Sequence, residues 1–137
     1  MKISEIMSRD VKTVRPQATL QEVARMMQAE DIGSVVVGEN DRMVGIVTDR
    51  DIVLRAVAEG RSMDAQVGDV MSKSVCYCTE SDELEAVARN MADIEKRRLP
   101  VVNSQKRLVG IVSLANIASA HQNTVSGEVL QGVARPH

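Results

Sequence analysis

Gly45-Ile46-Val47-Thr48-Asp49-Arg50-Asp51 returns 65 residues later as Gly110-Ile111-Val112-Ser113-Leu114-Ala115-Asn116. Each copy is a short apolar strand that ends on a hydroxyl and runs into a helix. Three residues past the hydroxyl stands a group able to read a diol, Asp51 or Asn116. The first free amides of a helix favour an anion. The junction therefore suits a nucleotide, with the hydroxyl of Thr48 or Ser113 on phosphate and Asp51 or Asn116 on the ribose. The same pattern also makes an ordinary helix cap. Its recurrence is what gives it weight.

The repetition extends outward from these two segments. Glu5-Ile6-Met7-Ser8 answers Asp69-Val70-Met71-Ser72, and Leu20, Val23, Ala24 and Met27 answer Leu84, Val87, Ala88 and Met91. Reading Val36-Val37 against Val101-Val102 puts the offset at 64 early and 65 later. One extra residue is then expected near Ile94 to Arg97. A repeat this long, present twice, predicts two similar units about a pseudo-twofold axis rather than a solenoid. We expect the first domain over 1–63, the second over 64–121 and a short tail over 122–137.

Secondary-structure signals give each half the order β-α-β-β-α, an α/β (α+β) class. In the first half Val11 to Val14 is a strand closed by Pro16. Thr19 and Glu22 form a capping box ahead of a helix with core spacing. Gly33 is expected to end that helix region, Ser34 to Val37 is a buried strand, and Asn40-Asp41 turns the chain into Met43 to Thr48. A helix from Asp49 to Glu59 closes at Gly60, and Gly60 to Gln66 reads as a linker. The second half predicts a strand near Val75 to Cys78, a helix over 82–95, strands over 99–102 and 107–112 with a turn at Asn103-Ser104, and a helix over 114–121.

Composition narrows the function classes. A formal charge of −2 supplies no basic field for nucleic acid. Tyr77 is the only aromatic side chain, so base-stacking platforms are absent and a bound base would lie between aliphatic groups and backbone. No apolar run is long enough to span a membrane, and the N-terminus lacks a signal-peptide core, so we expect no membrane partner and a cytoplasmic location. No nucleophile has a paired base, which argues against an enzyme. Cys76 and Cys78 on a strand should point to one face. They read as small buried or half-buried thiols, with no further metal ligand nearby in sequence and a strained geometry for a mutual disulfide. No metal site is expected.

The two Gly-x-x-Thr/Ser-x-x-Asp/Asn segments, the Met-Ser near each start, and Arg98-Leu99-Pro100-Val101-Val102 together resemble the CBS domain in tandem, the Bateman module. The resemblance covers roughly residues 3 to 120 and is close to the small stand-alone bacterial proteins of that family. It implies a regulatory module, with no obligatory cofactor, that binds an adenosyl ligand such as AMP, ADP, ATP or S-adenosylmethionine in clefts between the halves. It also implies a homodimer of pairs shaped as a disc, read by an unknown protein partner. Carried onto this chain, it points to Thr48, Arg50 and Asp51, to Ser113 and Asn116, to Arg97 and Arg98 beside the phosphates, and to Ala18 in the opposing turn. Lys96, Arg97 and Arg98 are set against Asp31, Ile32 and Gly33 of the first half. The second site is therefore expected to favour phosphate-rich ligands, and the first, beside Glu80 and Asp82, a less charged adenosyl group. The alternative is an interaction dimer with vestigial clefts.

Overall fold

The computed structural model describes residues 1–120; the expected tail over 122–137 lies outside them. The chain divides into two compact units, and these are not the two sequence repeats. One unit is Lys12–Val75. The other joins Met1–Val11 to the residues from Cys76 on. Each contains a three-stranded sheet whose middle strand pairs in parallel with the first and antiparallel with the third.

In the Lys12–Val75 unit, β1 (Thr13–Val14) leads to α1 (Leu20–Glu30). The expected capping box starts that helix: Glu22 N donates to Thr19 Oγ1 and Thr19 N to Glu22 Oε2, both at 3.1 Å. Leu20, Val23 and Met27 face the core, whereas Ala24 is exposed despite its helical register. The helix does not wait for Gly33 to stop. Asp31 adopts a left-handed conformation at φ 54° and ends it. Then come β2 (Ser34–Glu39) and β3 (Arg42–Thr48), joined through Asn40 and Asp41, both at positive φ as a tight hairpin turn requires. The last helix is α2 (Asp49–Ile52), which continues as a π-helical turn over Val53–Val57 before Gly60 at φ 73°.

The other unit repeats the plan with β4 (Cys78–Thr79), α3 (Leu84–Ile94), β5 (Arg98–Val102), β6 (Leu108–Ser113) and α4 (Leu114–Ala120). Its core comprises Leu84, Val87, Ala88, Met91, Leu99, Val101, Val112 and Ile117, together with Ile3 and Met7. The ladders correct the sequence alignment. Val37 opposes Gly45 and Val101 opposes Gly110, while Ser34 opposes Thr48 and Arg98 opposes Ser113. The offset is thus still 64 throughout β2 and β5. The extra residue sits in the hairpin turn, between Val102 and Leu108, and not near Ile94 to Arg97. Two adjacent valines at each place made the slip invisible to pattern matching; backbone pairing removes it.

The segment ahead of each first strand completes the unit built around the other repeat. Leu20 N donates to Ala65 O and Leu84 N to Met1 O, so a carbonyl from that segment satisfies one orphan amide of each helix start. Val67 N donates to Ala18 O, and Ile3 N to Asp82 O. Gly60 to Gln66 is therefore not a free linker, since the chain stays on its own unit until Val75. Ser72 bridges to Ile46, and Ser8 to Ile111. Just beside these bridges the strands carry Gly45 and Gly110. A Cβ on Gly45 would lie 2.6 Å from Met71 Sδ and 2.8 Å from Ser72 O; on Gly110 it would lie 2.6 Å from Met7 Sδ and 2.8 Å from Ser8 O. The glycine and the Met-Ser of the repeats are one contact, read twice.

Gly45→Ala should therefore destabilise the protein by about 1–3 kcal/mol in urea unfolding. A Met71→Ala change in the same chain should restore little, because the Ser72 carbonyl still blocks the new Cβ. Full recovery in the double variant would show that the sulfur alone sets the constraint.

Candidate functional site

Both strand-to-helix junctions are built as the repeat predicts. At the first, Asp51 N donates to Thr48 Oγ1 and Thr48 N to Asp51 Oδ2, each at 3.0 Å. The hydroxyl accepts from the helix, and its own proton has no acceptor among the described residues. Asp51 retains Oδ1, and its side chain is only 18% exposed. Arg50, between them, is exposed, and its backbone N–H is held by Asp49 Oδ1 at 2.8 Å. At the second junction Asn116 N donates to Ser113 Oγ at 3.1 Å, and Ser113 N to Asn116 Oδ1 at 2.9 Å. The Ser113 hydroxyl also lies 2.9 Å from that amide oxygen, which can only accept, so its proton is already committed. Two chemically similar motifs thus differ in what they can offer an incoming oxygen. Thr48 has a hydroxyl proton to give, while Ser113 has not unless Asn116 yields it.

The ladders place the arginines. Arg98 lies across from Ser113, and Leu114 N donates to Arg97 O at 3.0 Å. The same two places in the other unit hold Ser34, across from Thr48, and Gly33, whose carbonyl takes Asp49 N at 3.0 Å. Gly33 and Ser34 are therefore the counterparts of Arg97 and Arg98, one residue along from the sequence alignment. Both arginines are exposed, so one junction carries two cations and the other none from these positions.

The turn after each first strand is also formed. Val14, Arg15, Gln17, Ala18 and Glu22 line an open cavity of about 430 Å³. The Ala18 N–H donates to Arg15 O at 2.9 Å and its carbonyl accepts from Val67 N at 2.8 Å, which leaves its methyl group and the second lone pair of the carbonyl as the contacts it can make. At the corresponding turn, Thr79 gives its N–H to Asp82 Oδ2 and its hydroxyl to Asp82 Oδ1. The carboxylate expected as acidic company for a ligand is turned onto its own turn. Glu80 N is tied back to Val102 O.

Sequence reasoning missed Arg55. Its Nε lies 3.8 Å from Asp51 Oδ1, and its Nη1 reaches the carbonyls of Val70 at 3.2 Å and Met71 at 3.4 Å. The spacing of four residues on a helix was the available signal. The cysteine expectation needs correction. The strand begins only at Cys78, so the two thiols do not share a face: Cys76 is exposed, and Cys78 is buried with Sγ near Pro100 O. Burial, reinforced by Asp82, pushes the Cys78 thiol up to about 12. Both thiols are free, and among the described residues no three His, Cys, Asp or Glu side chains group as a metal site would need. No helix among those residues is long and apolar enough to cross a membrane.

Two units of this topology, each ending a strand on a hydroxyl that caps a helix, define a duplicated α+β class. Residues 3–57 and 67–123 each match the CBS domain family. The chain belongs to that family as a tandem pair. It is 36% identical over 133 residues to the CBS domain-containing protein YhcV of Bacillus subtilis, covering 96% of this chain and 94% of that one. Among solved structures it is similar to Hypoxic Response Protein I, described with two coordinated zinc ions, at TM-score 0.77 and 32% identity, covering 88% of this chain and 99% of that one. It also has the fold of CBSX2, described in complex with AMP, at TM-score 0.74 and 23% identity, with 87% and 94% covered.

The burial of Cys78 has a direct chemical consequence. Iodoacetamide at pH 8 should modify Cys76 in the folded protein and leave Cys78 intact, with both modified in denaturant. Because the folded pKa is raised, the stability Cys78 contributes is fully present below about 9 and is lost as pH rises from there to about 12. Equal labelling rates in the native state, read by mass spectrometry, would contradict the burial.

Proposed function

We propose that this tandem pair is a regulatory module that binds an adenosyl ligand, AMP, ADP, ATP or S-adenosylmethionine, rather than an enzyme. The observation that carries the reading is the Thr48–Asp51 junction. There, among the described residues, the capped helix leaves the Thr48 hydroxyl proton without an acceptor and one half-buried oxygen of Asp51 engaged only by the Arg55 ion pair. Thr48 donates to a phosphate oxygen, Asp51 accepts from the ribose diol, and Arg50 adds positive charge. Ser113, Asn116, Arg97 and Arg98 form the second site, and Ala18, in the turn after β1, offers its methyl group to a base. Two exposed arginines there favour a phosphate-rich ligand. The first site, with Gly33 and Ser34 in their place, takes a less charged adenosyl group. A preference for AMP over ATP, or the reverse, would make the module an energy sensor. Regulation requires that the ligand bind two arrangements of the protein with different affinity.

A second reading rests on a different observation. Val53, Leu54 and Val57, on the helix that follows Asp51, are 54%, 47% and 58% exposed. A stripe of three large apolar groups suits a homodimer contact, and in this reading dimerisation is the whole function and the nucleotide sites are vestigial.

A thermal-shift panel of AMP, ADP, ATP and S-adenosylmethionine, with sedimentation of Leu54→Glu, separates the two. A ligand at a hundred times its dissociation constant adds about 2.7 kcal/mol. Thr48→Ala should lower ligand-free stability by about 1 kcal/mol through loss of the cap. Asp51→Asn keeps an acceptor for the Thr48 amide and should chiefly weaken binding. A ligand shift abolished by Asp51→Asn supports the module. A flat panel with a dimer broken by Leu54→Glu supports the interaction protein.

A further inference from the structure

We propose that Arg55 is a positioning residue that couples the carboxylate of Asp51 to the Val67–Ser72 segment, the stretch through which the chain leaves this unit. Three contacts define it. Arg55 Nε stands 3.8 Å from Asp51 Oδ1, the oxygen that the cap leaves unused. Its Nη1 donates to Val70 O and Met71 O. Met71 in turn lies against Gly45, and Ser72 exchanges backbone hydrogen bonds with Ile46 at 2.8 and 2.9 Å. A planar guanidinium can hold a carboxylate on one edge and carbonyls on another in a fixed fork, a geometry that the point charge of an ammonium does not supply. The carbonyl of Arg55 also accepts from Arg61 Nε at 3.2 Å, which ties the far end of the same helix to this group.

The sign of the coupling follows from side-chain freedom. Arg55 is 53% exposed, so its guanidinium is held by these contacts rather than by packing. A carboxylate fixed by a diol keeps the guanidinium in one place, and the two carbonyl bonds then cost less ordering. Ligand on Asp51 therefore tightens the segment, and a tighter segment strengthens ligand binding by the same factor. The other repeat lacks the device. The residue 65 positions beyond Arg55 is Ala120, and Asn116 carries no charge to hold a guanidinium. The coupling belongs to one of the two junctions.

The test is a cycle of Asp51→Asn, Arg55→Met and the double variant in ligand-free full chain, read by amide hydrogen exchange at Ser72 and Ile46. Arg55→Met should speed exchange at Ser72 roughly tenfold, and Asp51→Asn about threefold in the wild-type background but not once Arg55 is gone. Arg55→Lys, which keeps the charge without the fork, should recover less than half of the coupling. Equal effects of Asp51→Asn in both backgrounds would overturn the proposal. The second arm rests on the adenosyl reading and uses AMP as the probe. AMP should slow exchange at Ser72 in the wild type and leave it unchanged in Arg55→Met. Because the cycle needs no ligand, failure of AMP to bind overturns AMP as the ligand of this junction, and the coupling still stands or falls on the cycle.

Discussion

The contact on which the rest of the structure depends is the approach of a Met-Ser segment to a strand glycine. Met71 and Ser72 sit against Gly45, and Met7 and Ser8 against Gly110, each at a distance that leaves no room for a Cβ. That contact fixes the third strand of each sheet. The third strand ends on Thr48 or Ser113, so the position of the candidate ligand group is set by a glycine three residues earlier. The same segments supply carbonyls to the amides that start α1 and α3, which ties helix, strand and turn into one frame. Neither unit would keep its helix starts satisfied without a segment taken from the other repeat.

The two junctions show how one motif can be tuned by single substitutions without altering its backbone role. Asp51 and Asn116 cap their helices in the same way, but only Asp51 carries charge, and only Asp51 has a guanidinium one turn away. Thr48 has a hydroxyl proton to give; Ser113 has spent its own on Asn116. Against that, Arg97 and Arg98 occupy places that Gly33 and Ser34 fill in the other unit. The exposed arginine pair and the charged capping carboxylate thereby fall on different copies.

Capping and binding are not competing explanations for these residues. A cap uses the Thr48 oxygen as an acceptor and one carboxylate oxygen of Asp51; a ligand needs the hydroxyl proton and the other oxygen. A side chain already held by a cap meets a ligand with its rotamer chosen, which lowers the ordering cost of binding. The buried Cys78 illustrates the opposite case. Its thiol is stabilised in the neutral form by the core and by Asp82, and it has no chemistry to offer.

Much of the fold was legible in the residues. The repeat, the order of elements, the Thr19–Glu22 capping box and the Asn40-Asp41 turn follow from side-chain patterns that act over a few positions, where local physics is decisive. Three readings failed for a common reason. The extra residue was assigned to Ile94 to Arg97, the Gly60 to Gln66 stretch was read as a linker, and Cys76 was given a strand face it does not have. Each depends on which backbone groups pair across the fold, and a run of valines or small polar residues carries no mark of its partner. The residues by themselves determined that there would be two strand-to-helix junctions, each with a hydroxyl and, three residues on, a carboxylate or amide. Only the tertiary structure decided that each Met-Ser would close the unit of the opposite repeat, that Arg98 would lie beside Ser113, and that Arg55 would reach both Asp51 and the carbonyls of Val70 and Met71. Those are contacts between positions far apart in sequence or joined only through a helix face, and their energies exist only once the chain has closed on itself.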